Sequence, residues 1–255
     1  MDSVIPSQYA VILSAAKTPP VVRRLLDRKA TTETFRFAQD GNLQTMDAIV
    51  IIGGGGHAKV VVCILRKLSQ YHILGYTDLS DKGDLAGVPY LGLDRKLAEL
   101  KAGTEKLNAV LAVGQVGLGE RRCELWTRLQ SCGVSFPLIA SPDAIINEGV
   151  SAAEGTVVMD GSVINIGATL GRGAIVNTNS TIEHDVELAD WVHVAPGATV
   201  SGGVTVGRFS MIGAGATVIE GIKIAARCMV GAGATVVDDL TEPGVYVGSP
   251  ARRIR

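Results

Sequence analysis

The chain has 255 residues, with 24 Lys and Arg against 25 Asp and Glu and a formal net charge of −1. That balance, without long basic runs, leaves no electrostatic footprint for nucleic acid, and the length holds one large domain or two modest ones. Hydrophobic residues make up 47% of the chain, yet no apolar run approaches the length of a membrane span, so a cytoplasmic protein acting on small molecules is expected.

Residues 1–45 stand apart as an N-terminal extension of uncertain role. Tyr9 to Ala16 is briefly apolar, Lys17-Thr18-Pro19-Pro20 breaks it, and a charged, weakly helical stretch follows. The basic start of a signal peptide is missing, because Asp2 follows Met1. A small Rossmann-like α/β domain is expected over 46–138. It opens with a buried strand at Ala48–Ile52, a Gly53-Gly54-Gly55-Gly56-His57 turn and a helix from Ala58 through Leu68. This is the opening of a nucleotide-binding β-α-β unit. Further expected elements are a strand at Ile73–Thr77 ending in Asp78, a helix at Leu93–Lys101, a strand at Ala109–Val113, the Gly114 turn and a helix at Glu120–Ser131. Backbone N–H groups of the glycine loop, at a helix N-terminus, can cradle a phosphate; a bland tight turn is the alternative. Asp78 stands where an acid can accept from a ribose hydroxyl, or simply caps the strand.

Over 139–240 the pattern changes. Reading from Ala140 in steps of six gives Ala140, Ile146, Ala152, Val158, Ile164, Leu170, Val176, Ile182, Leu188, Val194, Val200, Val206, Ile212, Val218, Ile224, Val230 and Val236, with no insertion. Small or apolar side chains such as Thr156, Ala168, Ser180, Ala198 and Ala234 sit four positions later. A period of six rich in β-branched residues and glycine fits no amphipathic α-helix and does fit short strands between turns, the mark of a hexapeptide β-helix. One hexapeptide cannot bury its own apolar face, so neighbours must stack around an aliphatic interior. The cysteines, Cys63, Cys123, Cys132 and Cys228, form no CxxC pair or zinc spacing, and Cys228 falls inward as a small hydrophobe. Within the repeat, His184 is followed by Asp185; an imidazole beside a carboxylate is how a general base is oriented and made more basic. A solvated surface histidine is the alternative. Residues 241–255 form a C-terminal turn and tail.

The stretch from Asn177 to Asp185, Asn-Thr-Asn-Ser-Thr-Ile-Glu-His-Asp, followed by Trp191-Val192-His193-Val194-Ala195-Pro196-Gly197-Ala198, closely resembles the active-site coils of a group of bacterial hexapeptide acyltransferases. That group comprises sugar-nucleotide N-acetyltransferases and sialic acid O-acetyltransferases. Ile52 to Lys59 is similar to its nucleotide-sugar domain, and Val247-Gly248-Ser249-Pro250-Ala251 to its terminal turn. The resemblance implies a left-handed β-helix, a homotrimer with the site between chains, acetyl-CoA as co-substrate and no metal. It makes His184 the general base and Asp185 its supporting carboxylate. Asn177 would lie near the acceptor amine and His193 near the acetyl group or the pantetheine arm. Gly55, Gly56, His57, Asp78 and Gly114 would hold the nucleotide sugar, while Gly202, Ala214 and Ala232 would let backbone approach coenzyme A. Arg252, Arg253 or Arg255 is expected near its phosphates, with a solvated basic tail as the alternative. Two departures stand out: Ser141 replaces a histidine frequent before proline, and Leu79 follows Asp78 where a second acid is common.

The implied activity is acetyl transfer to the amino group of a nucleotide-linked amino sugar in surface polysaccharide or glycan biosynthesis. O-acetylation of sialic acid or a related sugar is an alternative within that resemblance. A non-catalytic β-helix module is one from another class, and would leave the His184-Asp185 pair and the nucleotide-like loop as coincidences. A three-histidine zinc enzyme on this fold needs one more ligand than His184 and His193 supply in the repeat.

Overall fold

The computed structural model describes residues 46–255; the expectations for 1–45 lie outside the described residues. Strands β1 (Asp47–Ile52), β2 (Tyr71–Thr77), β3 (Tyr90–Gly92) and β4 (Leu107–Leu111) form a parallel sheet in the order β3-β2-β1-β4. Helices Gly56–Lys67, Lys96–Ala102 and Glu120–Gln130 follow β1, β3 and β4. Strands covered on both faces read as unbroken apolar runs. Accordingly, Ile49 and Ile51 pack with Ala58, Val61, Val62 and Leu65, while Val50 and Ile52 pack with Leu97, Leu100 and Leu129. The Rossmann-like expectation holds, with element ends moved by a few residues. Strand β3 was not foreseen, because three residues are too few to display a period.

From Ile139 the chain runs as two-residue strands separated by tight turns, and each ladder joins residues three hexapeptides apart: Ile175 pairs with Val157 on one side and His193 on the other. Three strands therefore make one coil, and the coils stack into three parallel faces. The first face carries β5 (Ile139–Ala140), β8 (Val157–Val158), β11 (Ile175–Val176), β14 (His193–Val194), β17 (Met211–Ile212) and β20 (Cys228–Val230), and is closed by β22 (Gly244–Val247) and the antiparallel β23 (Arg252–Arg253). The second runs from β6 (Ile145–Ile146) through β12 (Thr181–Ile182) to β21 (Thr235–Val236), and the third from β7 (Ser151–Ala152) to β19 (Lys223–Ile224). The six-residue column forms the interior: Val158, Ile164, Val176, Ile182, Val200 and Val218 are completely buried. Ile146 departs from it at 43% exposure, because no described coil lies beneath the first one.

Every sixth residue also turns through the left-handed region. Gly155, Gly161, Gly167, Gly173, Gly197 and Gly203 occupy this place with φ between 63° and 76°, as glycine can without steric cost. The same place is taken by Asn179 (55°), Asp185 (58°), Trp191 (63°), Phe209 (66°) and Arg227 (61°). A side chain there costs roughly 1–2 kcal/mol, least for Asn and Asp, so the bulky residues at this place are expected to do work that glycine cannot perform.

For three of them that work is docking the α/β unit onto the first face. Trp191 meets Trp126 edge-on at 5.5 Å, the Phe209 ring packs against the apolar cluster that holds both tryptophans, and Arg227 pairs with Glu120 at 2.7 Å. Outward residues Ile139, Val157 and Ile175 complete the seam by joining the core of Ile49, Val61 and Tyr76. On the second face the outward positions are Ile145 and Val163 in the first two coils and then Thr181, Thr199, Thr217 and Thr235, and on the third they are Ser151, Thr169, Glu187, Thr205 and Lys223. The first face carries apolar outward side chains through more of its coils than the other two, which suits it for burial.

Candidate active site

His184 and Asp185 stand at the corner between the second and third faces. The left-handed turn at Asp185 brings its carboxylate back to the imidazole, with Oδ2 3.0 Å from Nδ1. A carboxylate only accepts, so the proton resides on Nδ1 and the Nε2 lone pair is left free. The hydrogen bond to Asp185 raises the His184 pKa above its ordinary value; the charges of Asp185, Glu183 and Glu220 add to it and outweigh the slight desolvation. The imidazole is about half exposed. One coil on, a Cβ at Gly202 would stand 2.5 Å from Nε2 and 2.6 Å from Cε1. Gly202, expected only to let coenzyme A approach, therefore also makes room for the ring.

His193 lies elsewhere, outward on the first face and buried beneath the α/β unit. Its surroundings form a directed chain. The Thr178 N–H donates to Asn177 Oδ1 at 2.8 Å, which fixes the amide so that Nδ2 donates to His193 Nε2 at 3.1 Å. Nδ1 in turn donates to the Gln115 carbonyl at 3.0 Å. Both ring nitrogens are engaged, and burial followed by the Arg122 charge pushes the His193 pKa down to about 4. His57 is pushed down to about 3 by burial, then by Arg122 and His193, and its Nε2 is buried without a hydrogen-bond partner. Arg122 is itself 2% exposed. It donates to the Gly173 carbonyl at 2.7 Å, and its guanidinium lies 5.6 Å from the centre of the Trp191 ring. The expected residues Asn177, His193 and His57 are thus brought together, with Gln115 and Arg122 as members that sequence reasoning missed.

In the glycine loop, the Gly54 N–H donates to Asp78 Oδ2 at 2.9 Å, and Lys82 Nζ stands 3.4 Å from Oδ1. Burial would raise the Asp78 pKa, but these donors outweigh it and hold the carboxyl below its ordinary value. Asp78 therefore braces the loop. A Cβ on Gly54 would strike the Tyr76 ring at 2.6 Å, whereas one on Gly55 or Gly56 would meet nothing. No side chain caps the helix that starts at Gly56, and Gly55 and Gly56 are exposed. Gly114 stands beside this helix, where a Cβ would lie 3.3 Å from that of His57.

Ala214 and Ala232 are exposed on successive coils, with the Gly233 N–H donating to the Ala214 carbonyl at 2.8 Å. They line the corner between the first and second faces, away from the corner of Gly202. Arg252 pairs with Asp238 at 3.3 Å and Arg253 with Glu242 at 2.7 Å on the surface. In the sequence the six-residue glycine register lapses at Asn179, Asp185 and Trp191 in succession, where the coils carry His184 and His193, but it gives no signal for Gln115 and Arg122, which lie outside the repeat.

Residues 48–122 match the family model described as the PglD N-terminal domain. Among solved structures, the chain is similar to a histidine variant of perosamine N-acetyltransferase from Caulobacter crescentus in complex with CoA and GDP-perosamine. The two are 34% identical over 82% of this chain and 97% of that one, with a TM-score of 0.76. It is also similar to the acetyltransferase domain of PglB from Neisseria gonorrhoeae in complex with acetyl coenzyme A, at 31% identity over 82% and 100% of the two chains and a TM-score of 0.76. WeeI from Acinetobacter baumannii, at 24% identity over 82% and 100% of the two chains, shares the fold with a TM-score of 0.72. A comparison with curated protein sequences finds no match.

Proposed function

This chain belongs to the bacterial sugar acetyltransferases of the hexapeptide left-handed β-helix family, and we propose that it transfers the acetyl group of acetyl-CoA to the amino group of a nucleotide-linked amino sugar. The observation that carries the mechanism is His184, with Nδ1 held by Asp185 at 3.0 Å and Nε2 free. In this reading the neutral amine attacks the thioester carbonyl, a C–N bond forms, and Nε2 takes the amine proton as charge develops. Collapse of the tetrahedral intermediate breaks the C–S bond, and the proton passes to the departing CoA thiolate. The exposed N–H groups at Gly55 and Gly56 take the acceptor's phosphates, and coenzyme A lies between neighbouring chains, with Gly202 at one corner of the coil and Ala214 and Ala232 at another.

The active species in this reading is a homotrimer. His184 occupies one corner of the coil while the glycine loop belongs to the unit covering the first face, so a neighbour's loop completes each site. Light scattering should report three chains; an active monomer would overturn this part. The reaction is tested by following CoA release with GDP-perosamine and a UDP-linked 4-amino sugar, with the product identified by mass spectrometry. Transfer to the amine is the expected result. Turnover of sialic acid in place of both amines would make the protein an O-acetyltransferase.

A further inference from the structure

Beneath the His184–Asp185 pair the same corner opens into a cavity of about 450 Å³ lined by Ile146, Asn147, Glu148, Asn165 and Ile166. Cavity and pair share backbone. The Asp185 N–H donates to the Ile166 carbonyl at 3.1 Å, and Asp185 Oδ1 lies over Gly167, 2.6 Å from where a Cβ would stand. Part of the lining is aliphatic and bare to solvent, with Ile146 43% and Ile166 51% exposed. The rest is a ladder of polar side chains stacked coil on coil. Asn147 Nδ2 donates to Asn165 Oδ1 at 2.7 Å, and Asn165 Nδ2 donates to Glu183 Oε2 at 2.8 Å. The ladder does not exhaust its members: Asn147 keeps a carbonyl oxygen and an N–H, and Asn165 keeps an N–H.

We propose that this cavity seats the pyranose ring of the acceptor, with Ile166 and Asn147 as specificity-determining residues. The inference rests on the acetyl-transfer reading and deepens it. A pyranose has an apolar C–H face and a rim of hydroxyls, and the lining offers two aliphatic side chains beside a row of amides and a carboxylate. The ladder ends at Glu183, next to the base in the chain, so a ring held here has a substituent amine directed at His184. Gly202 and the coils beyond it lie on the other side of the imidazole and are taken by the donor. A base between two reactants is the arrangement that brings nucleophile and thioester together.

Ile166→Trp fills the cavity from an exposed position, and Asn147→Ala removes spare hydrogen bonds without touching the core. Kinetics with GDP-perosamine and acetyl-CoA should show the sugar-nucleotide KM rising by about tenfold or more in Ile166→Trp, the scale of a mis-shaped pocket, and by less in Asn147→Ala. The acetyl-CoA KM, the affinity for free CoA by calorimetry and the mass by light scattering should not change. An unchanged sugar KM, or equal rises for both substrates, would overturn the subsite while leaving acetyl transfer intact. Loss of assembly in Ile166→Trp would show that a second copy of the chain fills the cavity and would also overturn it. Wild-type protein that acetylates neither GDP-perosamine nor a UDP-linked 4-amino sugar would instead remove the activity reading on which the subsite rests.

Discussion

Asp185 combines a strained backbone with the proposed duty of holding the base. Its φ of 58° is what turns the carboxylate onto His184 Nδ1, and glycine in its place would keep the turn and lose the bond. His184→Ala should lower kcat by about 10²- to 10⁴-fold, the range for loss of a general base, with little change in thermal stability because the ring is half exposed. The raised pKa of His184 sets the sign of the pH dependence. Below that pKa the base is protonated, so the rate falls as pH falls through a limb lying above the ordinary histidine value. Asp185→Asn weakens the bond that raises the pKa, so the limb should move to lower pH with a smaller loss of maximal rate; a limb that stays in place would show that another group reports there. Gly202→Ala is the steric counterpart. A Cβ 2.5 Å from Nε2 must displace the imidazole, and a misplacement of this order costs about 10²-fold in kcat. Unaltered turnover in that variant would mean that the ring needs no such seat.

Each short strand is stable only through its neighbours above and below. Ile182 is completely buried in the column, its strand β12 is paired to β9 (Val163–Ile164) and β15 (Thr199–Val200), and His184 follows two residues later. Ile182→Ala should therefore cost about 2–5 kcal/mol, measured as a lower urea midpoint, and should also loosen the coil that carries the base. A midpoint unchanged within error would mean that the stack tolerates a cavity at its centre. The left-handed register is the second determinant at this scale. Where glycine fills it the coils need only turn, and at Trp191 and Arg227 the side chains reach the helix Glu120–Gln130, while Phe209 packs against the same apolar cluster. Gly155 and Gly173 are the reciprocal requirement, since a Cβ there would stand 2.2 Å from the Trp126 ring and 2.3 Å from that of Trp191.

Across the whole molecule, the seam between the α/β unit and the first face holds three basic side chains where charge is poorly solvated. His57 and His193 are neutral there, with pKa values pushed down to about 3 and about 4, while burial lowers that of Arg122 to about 9. In the unfolded chain both histidines titrate near their ordinary 6.5. The unfolded state therefore gains protons first as pH falls, and stability present above about 6.5 is lost progressively towards the folded values. By pH 5 the contribution of His193 alone is a loss of about 2 kcal/mol. Chemical unfolding at pH 7 and pH 5 should show this fall, and His193→Asn should reduce its slope. A slope equal in the variant and the wild type would place the acid sensitivity elsewhere.

The six-residue period was sufficient to establish the coil, its aliphatic interior and the buried small residues, because an alternation imposed by every strand on itself is written locally. The strand, glycine turn and helix at Asp47–Lys67 were legible for the same reason, and the adjacent His184 and Asp185 announced their pairing in the chain. Other relations required the folded molecule. That Gly202 yields to His184, that Asn165 carries Glu183, and that Asn177 and Gln115 occupy both nitrogens of His193 depend on which coil lies above which and on where the α/β unit docks. Those contacts join residues from 16 to 78 positions apart, and a local period carries no information about which of three similar faces a distant unit will cover. The choice of face is made by the match of apolar outward side chains and left-handed aromatic turns across the seam, a property of two surfaces that exist only once both have folded.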